Sequence, residues 1–154
     1  MIALLEVNVL IALAWPSHVF HDRAHRWFEQ QISRSNSTPR FQWATCSLTQ
    51  NAFVRISSNP AIVDGAVTPG EAVAALRRFT EHPHHVFLND SPDLSSVAKE
   101  AIPDTLMVRH RQVTDTYLLL YARRHEAVPC TFDRRLAHTS AGSEYEHCLR
   151  VLPE

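Results

Sequence analysis

Short apolar runs of four to six residues alternate along this chain with longer segments whose apolar residues recur at helical spacing. "IALL" is the first such run and ends at Glu6; "FQWATC", "HVFLND", "AVPCTF" and "CLRVL" follow as strand signals. Between them lie helical segments: "VLIALAW" closed by Pro16, "HDRAHRWFEQQI" with Ala24, Trp27, Phe28 and Ile32, and "LTQNAFVRISS" with Thr49, Phe53 and Ile56. "TPGEAVAALRRF", "DLSSVAKEAI", "TDTYLLLYARRH" and the short "DRRLAH" complete the helical set, while "SNPAIVDG" reads as a loop. The best-marked start is Thr68 as N-cap, Pro69 at the first helical position and Glu71 at the third, a capping box. Asn8 is expected to cap the first helix. Strand signals alternating with helix signals restrict the chain to an α/β domain with a mostly parallel central sheet flanked by helices.

In such sheets, sites form at the carboxyl ends of strands. Two acids fall there independently, Glu6 after "IALL" and Asp133 after "VPCTF". A third, Asp115, opens the apolar helix. Each acid has an ordinary explanation. Asp115 suits a helix dipole, Asp133 suits an N-cap, and Glu6 suits a solvent-facing strand end. Taken together, three carboxylates distant in sequence are expected to converge on one edge of one sheet. Like charges gathered this way raise one another's pKa unless a cation neutralises them. Oxygen-only ligands select hard ions such as Mg²⁺ or Mn²⁺, which activate water and orient phosphodiesters.

Composition narrows the alternatives. The chain of 154 residues, read as one domain over 1–154, is long enough to bury a core without staples. A net charge of −1 gives no overall field toward nucleic acid or anionic membrane. Of the 15 basic residues all but Lys99 are arginine, which reflects either phosphate binding or a GC-rich coding sequence. Cys46, Cys130 and Cys148 form neither a disulfide framework nor a zinc set, and they fit a reducing, intracellular setting. The opening run lacks a basic flank and is broken by Glu6, so it does not read as a signal peptide, and no run reaches the length of a membrane span.

Four blocks carry a resemblance. "LLEVNVLIALAWPSHVFHDRAHRWF", "TCSLTQNAFVRISSNP", "TPGEAVAALRRF" and "VTDTYLLLYARRHEAVPCTFDRRLAH" resemble, in order and spacing, the successive blocks of VapC-type toxins. These are PIN-domain ribonucleases of toxin–antitoxin pairs. The resemblance implies a PIN fold and a cytoplasmic, Mg²⁺- or Mn²⁺-dependent endoribonuclease that cuts structured RNA such as tRNA or rRNA. It also implies a homodimer, and a cognate VapB-type antitoxin whose C-terminal segment blocks the site.

The family's four acidic positions fall on Glu6, Gln50, Asp115 and Asp133. By the same resemblance Thr131 assists as a hydroxyl and Asn8 holds the geometry, with Glu6, Asp115 and Asp133 as the metal ligands. Two positions depart from the pattern. Gln50 replaces a glutamate, keeping the carbonyl oxygen and losing the charge. Glu6 replaces an aspartate, extending the carboxylate by one methylene, about 1.5 Å of bond length. Octahedral Mg²⁺ is exacting about geometry, so Glu6 is expected to attenuate metal binding or catalysis.

Arg109, Arg111, Arg134 and Arg135 flank Asp115 and Asp133 and are candidate RNA contacts, each equally readable as a solvated surface arginine. Arg123 and Arg124 suit a helix C-terminus. "HPHH" (His82–His85) reads as a solvated connector rather than a zinc site, and Trp15, Trp27 and Trp43 as packing residues rather than base stackers. The "YLLLYA" stripe reads as core. A receiver-like domain would need adjacent acids after the first strand and a downstream lysine, which this chain lacks. The stronger rival is a catalytically silent PIN-like module that binds RNA or an antitoxin.

Overall fold

A computed structural model describes residues 2–34, 41–95, 106–140, 145–146 and 148–153. Its elements are β1 (Ile2–Leu5), α1 (Val7–Ala14), α2 (His21–Ser33), β2 (Gln42–Cys46), α3 (Ser47–Ser57), α4 (Pro69–Thr80) and β3 (His85–Leu88). A 3₁₀ turn (His110–Gln112), α5 (Val113–Arg124), β4 (Ala127–Thr131), α6 (Arg134–Ser140) and β5 (Arg150–Val151) follow. The strands pair in the order β3-β2-β1-β4-β5, and every pairing is parallel.

β1 lies at the centre, which explains why "IALL" is apolar without alternation: both its faces are covered. Ala3 and Leu5 pack into a core shared with α1, α2, α3 and α4, while Leu4 packs on the other face against Leu118, Tyr121 and Ala122 of α5. Beyond α5, Leu119 and Leu120 meet Leu136 and Tyr145 in a smaller cluster. The "YLLLYA" stripe is therefore core, and so are Trp27 and Trp43, while Trp15 stacks on Phe53 and donates to Ser57. Cys46 and Cys130 are buried free thiols.

Pro129 sits inside β4 without breaking the sheet. Cys130 gives its carbonyl to Glu6, just past β1, so Pro129, one residue earlier, turns toward the β5 side. β5 begins only opposite Cys130, and no ladder bond is lost there.

The capping box forms as expected, with Thr68 accepting from the Glu71 N–H and Glu71 accepting from Thr68. Two expectations are corrected. Asn8 does not cap α1: Glu6 occupies the N-cap position and its side chain makes no capping bond. The "HPHH" segment is not a solvated connector. His82 packs against Phe28 and accepts from Trp43 Nε1, and the His85 ring lies 4.6 Å from that of Trp43. β3 must enter the sheet beside Trp43, and that brings the histidines onto the aromatic face. The helix expected over 93–102 lies largely outside the described residues; Asp93–Ser95 form a turn in which Asp93 Oδ1 accepts from Ser95. Among the described residues no helix is long and apolar enough to cross a membrane.

Candidate active site

The chain runs from β1 to β2 to β3 on one side of the sheet and continues with β4 and β5 on the other, so the strand order switches direction at β1 and β4. The carboxyl ends of two parallel strands at such a point frame a crevice. Glu6 follows β1 and Asp133 follows β4 at this place. The register aligns Leu5 with Cys130, and the Glu6 N–H donates to Cys130 O at 3.0 Å. Glu6 and Thr131 therefore stand side by side one step further on.

Glu6 is held by its backbone from both directions. Its carbonyl accepts from Val9 and Leu10 as α1 begins. Only 5% of the residue is exposed, and Oε1 is buried with no hydrogen-bond partner. Burial pushes its pKa up to about 7, with the negative charges of Asp115 and Asp133 adding to the rise; hydrogen bonds from Thr131 and Asn8 offset this in part. The Asn8 amide donates to Thr131 Oγ1 at 2.8 Å and lies 3.4 Å from Glu6 Oε2, and its carbonyl accepts from the Phe132 N–H at 3.3 Å. Asn8 is thus a clip between α1 and the end of β4.

Asp115, in the first turn of α5, is half-buried, and burial with the nearby Asp133 charge raises its pKa. Asp133 behaves oppositely. Its Oδ1 accepts from the Arg135 backbone N–H at 2.8 Å, as an N-cap of α6 would, and both its oxygens take the Arg135 guanidinium at 2.7–3.1 Å. Those bonds hold Asp133 below the usual carboxylate range. Both explanations of Asp133 thus apply together: it caps a helix and belongs to the acidic cluster.

The remaining candidates divide. Thr131 is fully buried and accepts from the Asp133 N–H as well as from Asn8. Gln50, in the first turns of α3, donates to Thr45 Oγ1 at 2.9 Å, and no described contact ties it to the three acids. Arg109 and Arg134 are exposed at the starts of the 3₁₀ turn and α6, and the backbone of Arg111 lies within that turn. Arg123 and Arg124 close α5, the latter paired with Asp90 at 2.6 Å.

Sequence reasoning missed Thr45 and His85, which extend the hydrogen bonding of Gln50; a buried hydroxyl in "QWATC" was the available signal. It also missed a cleft of about 630 Å³ lined by Leu48, Asn51, Pro92, Val113, Thr114 and Tyr117, among others. Asn51 and Thr114 are the sequence neighbours of Gln50 and Asp115, while none of Glu6, Gln50, Asp115 and Asp133 lines this cleft.

By donor type alone, the set suits a hard divalent cation. It is oxygen-only and like-charged, and it contains one buried carboxylate oxygen without a partner. Among the described residues, no group of three or more His, Cys, Asp or Glu side chains is drawn together closely enough to hold a metal ion. Arg135, bound to both oxygens of Asp133, stands where a cation's charge would otherwise be needed.

No family model matches the chain. Ribonuclease VapC39 of Mycobacterium tuberculosis is 39% identical to it over 146 residues, 95% of this chain and 99% of that protein. The chain belongs to the VapC ribonuclease family. Ribonuclease VapC38 of the same organism is 41% identical over 131 residues, covering 85% of this chain and 84% of its own length. Ribonuclease VapC44 is 37% identical over 146 residues, 94% and 96% of the two chains. In fold, this VapC chain matches one in the crystal structure of VapBC2 from Rickettsia felis bound to a DNA fragment from their promoter. The TM-score is 0.54 at 12% identity, over 90% of this chain and 93% of the other. The α/β fold expected from the sequence, a PIN domain with a parallel sheet between helices, is the fold observed.

Proposed function

We propose that this VapC chain is a cytoplasmic toxin, a Mg²⁺- or Mn²⁺-dependent endoribonuclease that cuts structured RNA such as tRNA or rRNA. In this reading it acts as a homodimer and is neutralised by a cognate VapB-type antitoxin. The observation that carries the proposal is Glu6. A carboxylate nearly sealed from water, one oxygen unpartnered and two further acids raising its pKa, is costly unless something positive joins it. Glu6, Asp115 and Asp133 are the residues that would hold the cation. When bound, it would supply a polarised water and charge neutralisation at a phosphodiester.

The protein's own residues do the rest. Asn8 and Thr131 fix the Glu6 carboxylate between β1 and β4, and burial excludes competing water from it. Asp115 stands in the first turn of α5, and the cleft lined by its neighbour Thr114 would give a strand of RNA room. Arg109, Arg111, Arg134 and Arg135 supply charge for neighbouring phosphates, which positions the strand without reading its sequence.

One observation favours the rival reading of a silent binding module: Asp133 is fully engaged by Arg135. Titration with Mn²⁺ by calorimetry, with Asp115→Asn as control, separates the two. Saturable uptake lost in the variant, together with Mn²⁺-dependent cuts mapped on total RNA, supports the enzyme. Absence of both leaves the module.

A further inference from the structure

A hydrogen-bonded chain leads from His85 through Thr45 to Gln50. His85, the first residue of β3, has its Nε2 2.8 Å from Thr45 Oγ1, and Thr45 Oγ1 accepts from Gln50 Nε2 at 2.9 Å. The backbone of Thr80, at the end of α4, also acts on the His85 ring in the sense that favours a protonated ring nitrogen. Since Nε2 faces Thr45, the nitrogen favoured in this way is Nδ1.

Each link then dictates the next. A neutral imidazole carries one N–H and one bare nitrogen. Burial holds His85 toward its neutral form, with His82 nearby working in the same direction. With the proton on Nδ1, Nε2 accepts, so the Thr45 hydroxyl donates to it. A hydroxyl has a single proton, and Thr45 is fully buried. Toward Gln50 it therefore acts only as an acceptor, and only the amide end of Gln50 satisfies it. The opposite rotamer would set a carbonyl oxygen against a lone pair.

The carbonyl oxygen of Gln50 makes no hydrogen bond among the described residues. Gln50 stands in the first turns of α3, which follows β2 directly, and β2 lies beside β1 with Ala44 opposite Leu4. It thus belongs to the same sheet edge as Glu6. A glutamine at such an edge has two opposite characters. Its oxygen is a hard donor compatible with a cation; its N–H₂ repels one.

We propose that Thr45 and His85 are positioning residues that hold Gln50 with its carbonyl oxygen, not its amide nitrogen, presented to the carboxylate edge. Its consequence for catalysis rests on the ribonuclease reading above; the polarity of the chain does not.

Two measurements test it on the full-length protein. Long-range ¹H–¹⁵N correlation of the imidazoles reads the tautomer of His85 directly. Nδ1–H supports the assignment and Nε2–H overturns it, whatever the protein does to RNA. The second compares Mn²⁺ affinity and RNA cleavage for Thr45→Val, Thr45→Ser and Gln50→Ala. Thr45→Val should lose about tenfold, the usual scale for removing an orienting partner, and Thr45→Ser should recover it. In a Gln50→Ala background Thr45→Val should change neither quantity, because no amide remains to be oriented. A loss of the same size in that background assigns Thr45 a purely structural role and overturns the proposal. If wild-type protein neither takes up Mn²⁺ nor cuts RNA, the ribonuclease reading fails, and the tautomer alone decides the polarity.

Discussion

Asn8, in the first turn of α1, donates to Thr131 Oγ1 at 2.8 Å across 123 positions of the chain. The same side chain accepts from the Phe132 N–H, so one amide joins the first helix to the end of β4 and sets the distance between Glu6 and Asp133. Asn8→Ala leaves the Phe132 N–H and a face of Thr131 unsatisfied. The cost is about 1–3 kcal/mol, a fall of several degrees in Tm for a chain of this length. Activity should fall further than stability does. A variant that keeps wild-type cleavage below its lowered Tm would show that the clip serves folding alone.

Glu6 makes the stability of the metal-free protein depend on pH in an unusual direction. Its folded pKa of about 7 lies above the ordinary 4.5, so between these values the folded state holds a proton that the unfolded state releases. Stability from this group is fully present below pH 4.5 and is lost as pH rises toward 7, by on the order of 3 kcal/mol. Glu6→Gln removes the titration. With chelator present, the variant should melt several degrees above wild type at pH 8 and close to it at pH 4.5. An equal gap at both pH values would contradict the burial of the charge.

Much of this arrangement was legible in the sequence, because the informative signals were local. Apolar runs too short for helices and unalternated along their length marked strands buried on both faces, and a parallel sheet followed from the helices between them. The acids after "IALL" and "VPCTF" marked the carboxyl ends of β1 and β4. What escaped was every pairing that depends on register. Asn8 has the composition of a cap and sits where a cap belongs, yet its partners are Thr131 and Phe132, known only once β1 and β4 are aligned. His82 and His85 look hydrophilic, and only the position of β3 beside Trp43 explains their packing. The link from Gln50 to Thr45 spans one turn of chain, but its polarity is set by Thr80 and His85 on other elements.

Arg135 competes for Asp133 with any other cation. Its guanidinium takes both carboxylate oxygens, and its charge also lowers the pKa of Asp115. Arg135→Ala frees those oxygens, so Mn²⁺ should bind severalfold more tightly in calorimetry. If the arginine also touches a phosphate, the variant binds RNA more weakly and its salt dependence becomes shallower by about one unit. Metal affinity unchanged or reduced in Arg135→Ala would show that Asp133 is not a ligand.

The length of the Glu6 side chain is the last term. Its backbone is fixed by the bond to Cys130 and by the two bonds that start α1, so the additional methylene cannot be absorbed by a shift of the main chain. The carboxylate is carried further into the crevice than an aspartate would be, and Oε1 ends without a partner. A displacement of about 1 Å at a reacting centre can cost ~100-fold in rate. Glu6→Asp draws the carboxylate back toward β1 and should raise Mn²⁺-dependent cleavage of total RNA, by tenfold or more on that scale. The cut positions should stay the same, since the arginines and the cleft are untouched. Equal or lower activity in Glu6→Asp would mean that the site is built around the longer acid, and that Glu6 does not attenuate the enzyme.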